Sequence, residues 1–445
     1  MILTPSMQSL LASLRRSTNE FLLEERDMRE LLDFCRSRQN IFCYGAGIYG
    51  RMLRCFLDEH GIDIKGFVVS GKSNEENVLG IPVYSFGKIV TSIKKGAVLV
   101  GVGRKYRDEI VDMLLSHNIK NYFVLSDEMI DEMRHDVNYE KTYQTNHNVC
   151  VLLYHRICHL SVDTWRLANT PEVFEEHIKF LKENYDILRF EDAWEPSSNR
   201  SVVITFDDGY ADNFLYALPI LEQYKVPATI FVSTINIGTT NEFWWDELER
   251  IICCNPRLPG TIQYAGRSFR VATDEEREKA CYALHPILKA MLPDNREKVL
   301  HDMAAEWKAD KGGRPENRAL TKDELRELSS SPYITIGGHT VTHSSLAFET
   351  EDLQKHEIEK SKADIEKIIG KKIDVFSHPF GQKEDFTAKT VEIAKACGYK
   401  KVAAAYGGVT GANESDFYIP RNGIVAGTRL AELKRHVRGL WCLFG

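Results

Sequence analysis

The chain has 445 residues, long enough for two or more hydrophobic cores because single cores seldom grow beyond about 250 to 300 residues. A net charge of -7 and an isoelectric point near 6.1 argue against a nucleic-acid partner, since phosphate binding requires a basic surface. The ten cysteines include no C-x-x-C pair, so we expect reduced thiols rather than a disulfide framework.

The N-terminal 21 residues contain polar side chains throughout and no apolar stretch of the length that a signal peptide requires. No segment approaches the ~20 apolar residues of a membrane-spanning helix. We therefore expect a cytoplasmic protein with no transmembrane segment.

The first part of the chain predicts a helical segment at residues 1–37 and then an alternation of strands and helices over residues 38–128. Strands are predicted near residues 41–44, 64–69, 97–100 and 122–125. This alternation is typical of a small, doubly wound, Rossmann-like α/β domain with a parallel sheet.

A glycine-rich run, Gly45-Ala46-Gly47-Ile48-Tyr49-Gly50, follows the first of these strands and opens a helix. Gly45, Gly47 and Gly50 match the pattern of a dinucleotide- or phosphate-binding turn. The acidic residue that would bind a ribose hydroxyl is missing, because 68–70 reads Val-Val-Ser. The run is therefore either a phosphate-binding turn or a glycine-rich turn that serves strand-to-helix packing.

Residues 129–147 are polar and predict a linker, and residues 148–445 predict a second domain. Its strands and helices alternate in an order that suits a distorted (β/α) barrel, with a long insertion at about 241–321 that is largely helical. The insertion contains Trp244 and Trp245, which either stack on a sugar ring or anchor the insertion to the barrel; we favour anchoring.

Two polar motifs each follow an apolar run that predicts a buried strand. Thr205-Phe206-Asp207-Asp208-Gly209 follows residues 202–204, and His339-Thr340-Val341-Thr342-His343 follows residues 333–336. His339 and His343 are four residues apart, so one helical turn would direct both imidazoles to the same side. Two imidazoles and one carboxylate form a ligand set suited to catalytic zinc, and the second carboxylate can then act as a base.

Each motif also has a simpler interpretation. Asp-Asp-Gly is common in turns, and histidine pairs at this spacing often serve no ligand. Turn chemistry alone does not readily explain both motifs at strand ends in one domain.

These motifs resemble those of the polysaccharide deacetylase family, also known as the NodB-homology or carbohydrate esterase 4 family. The resemblance implies that Asp207 is the catalytic base and that Asp208, His339 and His343 bind a divalent metal, most often zinc. Residues 151–157, 376–381 and 419–421 resemble further family segments, so the resemblance spans about residues 148–430. The first domain resembles Rossmann-like domains of surface-polysaccharide sugar-modifying enzymes.

The third family segment departs from the usual pattern. Ser377 stands where many members carry an arginine that orients the base, so that role is vacant or belongs to Arg421. Phe380 keeps the aromatic residue whose backbone N–H helps to form the oxyanion hole. The histidine that protonates the leaving amine has no clear counterpart; the candidates, in order of preference, are His155, His378 and His436.

The resemblance implies a metal-dependent hydrolase that removes the N-acetyl group from an amino sugar during synthesis of a cell-surface glycan, with the sugar free, nucleotide-linked, lipid-linked or polymeric. A sugar-binding or regulatory protein with weakened catalysis is an alternative, because the arginine of the third segment is missing and the catalytic acid is uncertain. A nucleotide-dependent oxidoreductase is a further alternative, based on the glycine-rich run.

Overall fold

The computed structural model describes residues 28–71, 77–78, 81–136, 148–194, 201–408, 410–411 and 415–437, which fall into two compact units divided between residues 144 and 145. Of the predicted N-terminal helical segment, residues 1–27 lie outside the described residues, and Met28–Arg36 is a helix.

The first unit contains one sheet with strand order β3-β4-β2-β1-β5-β6, in which all neighbours are parallel except β3 and β4. The strands are β1 (Ile41–Tyr44), β2 (Gly66–Val69), β3 (Asn77–Val78), β4 (Ile81–Ser85), β5 (Ala97–Val100) and β6 (Tyr122–Val124). The helices are Met28–Arg36, Ile48–Glu59, Phe86–Lys94, Arg104–Ser116 and Asp127–Asp136. This is the predicted doubly wound sheet.

The sheet is buried on both faces, as a parallel sheet between two helical layers requires. Within β1, Ile41 and Cys43 pack into one apolar cluster, whereas Phe42 and Tyr44 pack into another. This two-residue alternation explains why the strand is apolar at every position.

The glycine-rich run lies where β1 meets the helix Ile48–Glu59. A Cβ atom on Gly50 would lie 1.8 Å from the Gly45 carbonyl oxygen, so the helix approaches the turn too closely for any other residue. A Cβ atom on Gly47 would meet nothing within 4 Å. Packing therefore accounts for Gly50, and a ligand role for Gly45, Gly47 and Gly50 stays a prediction.

The predicted linker 129–147 is wrong for its first part, because Asp127–Asp136 is a helix. Met129 and Ile130 lie four and three residues before Met133, so the three side chains share one face of the helix. That face is buried in the core of the first unit. The many charged residues between them concealed this pattern. Residues 137–147 lie outside the described residues.

The second unit is built around parallel strands in the order β17-β16-β15-β12-β11-β7, with β10 beside β11 and with β18 and β19 beside β7. The strands are β7 (Asn148–Tyr154), β8 (Arg156–Ile157), β9 (Ala168–Asn169), β10 (Asp186–Leu188), β11 (Ser201–Phe206), β12 (Ala228–Val232), β13 (Thr261–Tyr264), β14 (Arg267–Arg270), β15 (Ile334–Gly338), β16 (Val375–Ser377), β17 (Lys401–Ala403), β18 (Thr410–Gly411) and β19 (Asn422–Gly423). The α-helices are Pro171–Asn184, Leu218–Tyr224, Trp244–Ile252, Asp274–Lys289, Pro293–Glu306, Lys322–Ser330, Glu351–Ile369, Ala388–Ala396 and Leu430–Val437.

The curled sheet confirms the predicted (β/α) barrel class. Residues 419–423 lie between its two ends, since Ile419 forms a parallel bridge with Ala403 of β17 while β19 pairs with β7. Val151, Val203 and Phe231 belong to the apolar cluster on one face of the sheet, and the alternate residues pack on the other face. The carboxyl ends of β7, β11, β15 and β16 meet at one edge, where barrel enzymes place their sites.

The insertion has its own apolar cluster, built mainly from the helices Trp244–Ile252, Asp274–Lys289 and Pro293–Glu306. The insertion is largely helical, as predicted. None of the helices in the described part of the chain is long and apolar enough to cross a bilayer.

Candidate metal centre

Asp207 and Asp208 directly follow β11, and both side chains are buried. The backbone turns sharply here, with φ of 75° at Asp208 and 85° at Gly209. A Cβ atom on Gly209 would lie 2.8 Å from Val232 Cγ1, so both the angle and the space require glycine. The turn holds the two carboxylates at the carboxyl edge of the barrel.

His339 and His343 follow β15, as predicted, but the helical turn expected between them is wrong. The segment is an irregular loop in which Thr340 and His343 have φ values of 65° and 51°. The Glu357 carboxylate accepts hydrogen bonds from the Val341 and Thr342 N–H groups, each at 2.8 Å. A distant glutamate therefore satisfies the backbone donors that a helix would have used internally.

Asp208, His339 and His343 are buried, and their potential ligand atoms lie within 4.8 Å of one another. Asp208 Oδ1 is 3.2 Å from His343 Nε2 and 3.6 Å from His339 Nε2. Ligand atoms of a tetrahedral zinc site are about 3.3 Å apart, because each lies about 2.0 Å from the ion. Asp208 Oδ1 and His339 Nε2 have no hydrogen-bond partner in the described structure, so the residues fit a divalent cation.

The environment sets the protonation of this ligand set. His339 Nδ1 lies 2.8 Å from the Ser377 carbonyl oxygen, so Nδ1 carries the proton and Nε2 offers its lone pair to a metal. Burial alone would raise the pKa of Asp208, but the nearby His339 and His343 rings lower it well below its usual range. Burial lowers the pKa of His343. Asp208 is therefore ionised, as a metal ligand must be.

Arg421 holds the Asp207 carboxylate with two parallel hydrogen bonds, from Nη1 to Oδ1 at 2.7 Å and from Nη2 to Oδ2 at 2.6 Å. Nη2 also donates to Ser377 Oγ at 2.7 Å, and that hydroxyl lies 3.2 Å from Asp207 Oδ2. Burial raises the pKa of Asp207, but the Arg421 charge, the His339 charge and the hydrogen bonding from Arg421 together outweigh it, and the net effect lowers the pKa. Asp207 is a buried, fixed and ionised carboxylate beside the ligand set.

Of the three histidines considered as proton donors, His155 alone lines the cavity that contains both aspartates and both histidine ligands. His155 directly follows β7, whose last residue, Tyr154, pairs with Phe206 at the end of β11 just before the two aspartates. His378 is fully buried and stacks on Phe386 with ring centroids 4.1 Å apart. His436 is buried in the helix Leu430–Val437, outside the cavity lining.

Phe380 lines the same cavity and has a positive φ of 60°. Its ring lies 4.7 Å from the ring of His343, and its backbone N–H has no hydrogen-bond acceptor among the described residues. An unpaired N–H at the edge of the ligand set is available to a substrate oxygen.

Two ring-bearing residues of the cavity lining were missed from the sequence, namely Trp165, in the loop between β8 and β9, and His285, on the insertion helix Asp274–Lys289. Neither lies in a motif, and no local pattern marks them. Only the tertiary position of the insertion brings His285 to the cavity.

The insertion tryptophans are anchors, as favoured from the sequence. Trp245 is stacked on Phe243, lies 4.5 Å from the ring of His343 and donates its indole N–H to Tyr210 Oη at 2.8 Å. Trp244 has His285 stacked at 4.9 Å and the Arg296 guanidinium at 4.8 Å. Both indoles are almost fully buried, so neither offers an open face to a sugar.

Comparison with known proteins agrees with this geometry. A family model described as polysaccharide deacetylase matches residues 195–253 and 299–402, and the gap falls in the insertion. Over 109 residues the chain is 32% identical to the Bacillus subtilis protein YxkH, a polysaccharide deacetylase by name; the match covers 23% of this chain and 37% of that protein.

Two solved structures are also similar. The deacetylase PplD of Streptococcus pyogenes, in complex with acetate, is 18% identical, with 66% of this chain and 99% of that chain covered and a TM-score of 0.43. IcaB of Ammonifex degensii is 16% identical, with 66% and 97% covered and a TM-score of 0.42. The family match includes both the 205–209 and the 339–343 motifs, so the part of the chain that carries the candidate metal centre matches the polysaccharide deacetylase family.

Proposed function

We propose that the protein is a metal-dependent hydrolase that removes the N-acetyl group from an acetylated amino sugar. The observation that carries this proposal is the buried set of Asp208, His339 and His343 beside Asp207, whose carboxylate Arg421 holds on both oxygens. The match to the polysaccharide deacetylase family model supports an acetylated carbohydrate as the substrate class.

Asp208 Oδ1, His339 Nε2 and a His343 ring nitrogen would hold the cation, and zinc suits this ligand set best. A divalent cation bound there supplies Lewis-acid chemistry, which makes water a better nucleophile and polarises an amide carbonyl. The hydrogen bond from His339 Nδ1 to the Ser377 carbonyl fixes the ring for this purpose.

Asp207 acts as the general base and takes a proton from the attacking water. Its two hydrogen bonds to Arg421 fix the direction of the carboxylate and keep it ionised at neutral pH. The guanidinium is fully buried and also donates to the Ala404 carbonyl at 2.9 Å, so it is held in place itself. Arg421 is thus a positioning residue for the base.

The oxygen of the attacking water adds to the acetamide carbon, and the carbonyl oxygen becomes an oxyanion. The Phe380 N–H donates to this oxyanion, which stabilises charge that is absent from the ground state. When the C–N bond breaks, His155 gives a proton to the leaving nitrogen, and the products are acetate and a free amino sugar. The position of His155 in the cavity supports this assignment over His378 and His436.

The alternative of a catalytically weakened binding protein rests on two grounds, the missing arginine of the third segment and the uncertain catalytic acid. The contact between Arg421 and Asp207 answers the first ground, because the base has a guanidinium partner from another part of the chain.

Acetate release from free, nucleotide-linked, lipid-linked and polymeric N-acetyl sugars tests the proposal. We expect acetate from at least one of these substrates, loss of activity after chelation, and recovery with added zinc. Full activity after verified metal removal would refute metal dependence, and a metal-loaded protein inert on every substrate would refute the hydrolase. The carrier of the sugar and the cytoplasmic location stay predictions.

A further inference from the structure

The insertion forms part of the wall of the cavity above the metal centre. His285 and Lys289 are four residues apart on the helix Asp274–Lys289 and so project from one helix face. Lys289 Nζ lies 2.5 Å from the buried Asp385 carboxylate and 4.2 Å from the centre of the Phe380 ring. Asp385 accepts a second hydrogen bond from Ser345 Oγ at 2.7 Å. The last turn of the helix is therefore fixed beside the loop that carries Phe380.

This attachment directs His285 into the cavity and aromatic rings fix its orientation. Its ring is stacked on Trp244, with centroids 4.9 Å apart, and lies 5.9 Å edge-on from Phe380. The Trp165 ring lies 5.0 Å away, and the Trp165 indole N–H donates to the Trp245 carbonyl at 3.1 Å. His285 is thus held by packing rather than by hydrogen bonds.

The polar atoms of His285 remain available to a ligand. The ring is half-buried, and neither nitrogen makes a hydrogen bond within the described part of the chain. Burial and the neighbouring Lys289 charge lower the pKa of His285 to about 4, so the ring is neutral, with one N–H donor and one acceptor. Such a pair matches a sugar hydroxyl or neighbouring hydroxyls, which both donate and accept.

The rest of the cavity suits one sugar ring. Its volume is about 320 Å³, at the lower end of the ~300 to 1,000 Å³ typical of small-molecule sites. Its apolar lining complements the C–H face of a pyranose, and His285 adds a polar ring to the same lining. Beside the metal centre, the more exposed part of this lining comes from Leu167, Trp165 and Phe380.

We propose that His285 and the half-buried ring of Trp165 form a sugar-binding subsite that determines which acetylated sugar enters the metal centre. This inference rests on the proposed function and deepens it, because it assigns substrate recognition to the insertion. His285 touches the sugar ring rather than the acetyl group.

The test compares His285→Ala with His285→Gln, which keeps a donor and an acceptor, and with His301→Ala, an exposed histidine of the same insertion. On the best N-acetyl sugar we expect His285→Ala to raise KM about 10-fold with little change in kcat, because one uncharged hydrogen bond is worth about one decade. Partial rescue is expected with His285→Gln, and wild-type behaviour with His301→Ala. Hydrolysis of an activated acetate ester without a sugar ring should be unchanged.

If His285→Ala lowers kcat/KM equally for the sugar and the ester, or lowers the amount of bound zinc, the inference is overturned, because His285 would then act through the fold or the metal. Titration with the free amino sugar provides a separate readout without turnover. Wild-type binding that His285→Ala weakens supports the subsite even if no acetate is released, whereas unchanged or absent binding overturns it. Failure of acetate release in every wild-type assay would count against the proposed function alone.

Discussion

Arg421→Met gives the sharpest test of the catalytic arrangement. The substitution keeps a long apolar side chain and removes the guanidinium that contacts both Asp207 oxygens at 2.7 and 2.6 Å. Asp207 is then left as a buried carboxylate with no full cationic partner, with the Ser377 hydroxyl at 3.2 Å and His339 Nε2 at 3.7 Å from Oδ2. Breaking a buried ion pair in this way costs about 3 to 5 kcal/mol of unfolding free energy at neutral pH.

Activity should change in a way that depends on pH. The base is active when ionised, so activity falls as pH drops through the pKa of Asp207. Arg421 lowers that pKa, and its removal therefore raises it, which moves the acidic limb of the pH profile to higher pH. Misalignment of the carboxylate should also reduce kcat on the order of 100-fold. Arg421→Lys keeps the charge but loses the paired contact, so its acidic limb should lie between the other two.

Arg156→Met is the matched control. Arg156 is also a buried arginine, paired with Asp212 at 2.9 Å, and it makes no contact with Asp207. We expect a similar loss of stability by urea unfolding and an acidic limb at the wild-type pH. If the acidic limb of the pH profile stays at the wild-type pH in Arg421→Met, or if Arg156→Met shifts it as far as Arg421→Met does, Arg421 does not set the charge of the base.

Three further outcomes are expected. Asp208→Asn should lower zinc content by elemental analysis, whereas Asp207→Asn should keep zinc and lose turnover; equal zinc loss in both would contradict the separate roles. His155→Ala should slow amide hydrolysis at least 10-fold more than hydrolysis of an activated ester, whose leaving group needs no proton, and equal slowing would exclude His155 as the acid. Burial lowers the pKa of His378 to about 3, below the ~6.5 of an unfolded chain, so its contribution to stability is full above pH 6.5 and declines as pH falls. Between pH 7 and pH 5 the free energy of unfolding of the His378→Met variant should therefore fall by about 2 kcal/mol less than that of the wild type, as measured by urea titration. The same fall in both proteins would contradict this assignment.

Much of the metal centre was predictable because strand ends are local features. Apolar runs predicted β11 and β15, and the barrel places the carboxyl ends of parallel strands at one edge. The positions of Asp208 and His339 at that edge follow directly from this rule. The conformation of the 339–343 loop could not be predicted in the same way, because the spacing of four residues fits a helix, whereas Glu357 stabilises the loop from elsewhere in the chain.

The contributions of Arg421 and His285 depend on tertiary structure in different ways. Residues 419–423 fill the gap between β17 and β7, which brings the Arg421 side chain against the β11 end; the sequence could name this arginine only as one of two options. His285 reaches the cavity because Lys289 pairs with Asp385, nearly one hundred residues away. Such a contact leaves no periodic signal in the sequence.

The backbone at the metal centre is strained, and this explains why local rules fail there. Asp208, Thr340, His343 and Phe380 are four of the ten non-glycine residues with positive φ in the described chain. Such residues cost of order 1 to 3 kcal/mol each, and they persist only where surrounding contacts fix them. Here the contacts are the barrel edge, the Glu357 carboxylate and the insertion aromatics around His343. The strained residues and the unpaired ligand atoms lie at the same place. A cation bound there would therefore stabilise the part of the backbone whose conformation the sequence alone predicts least well.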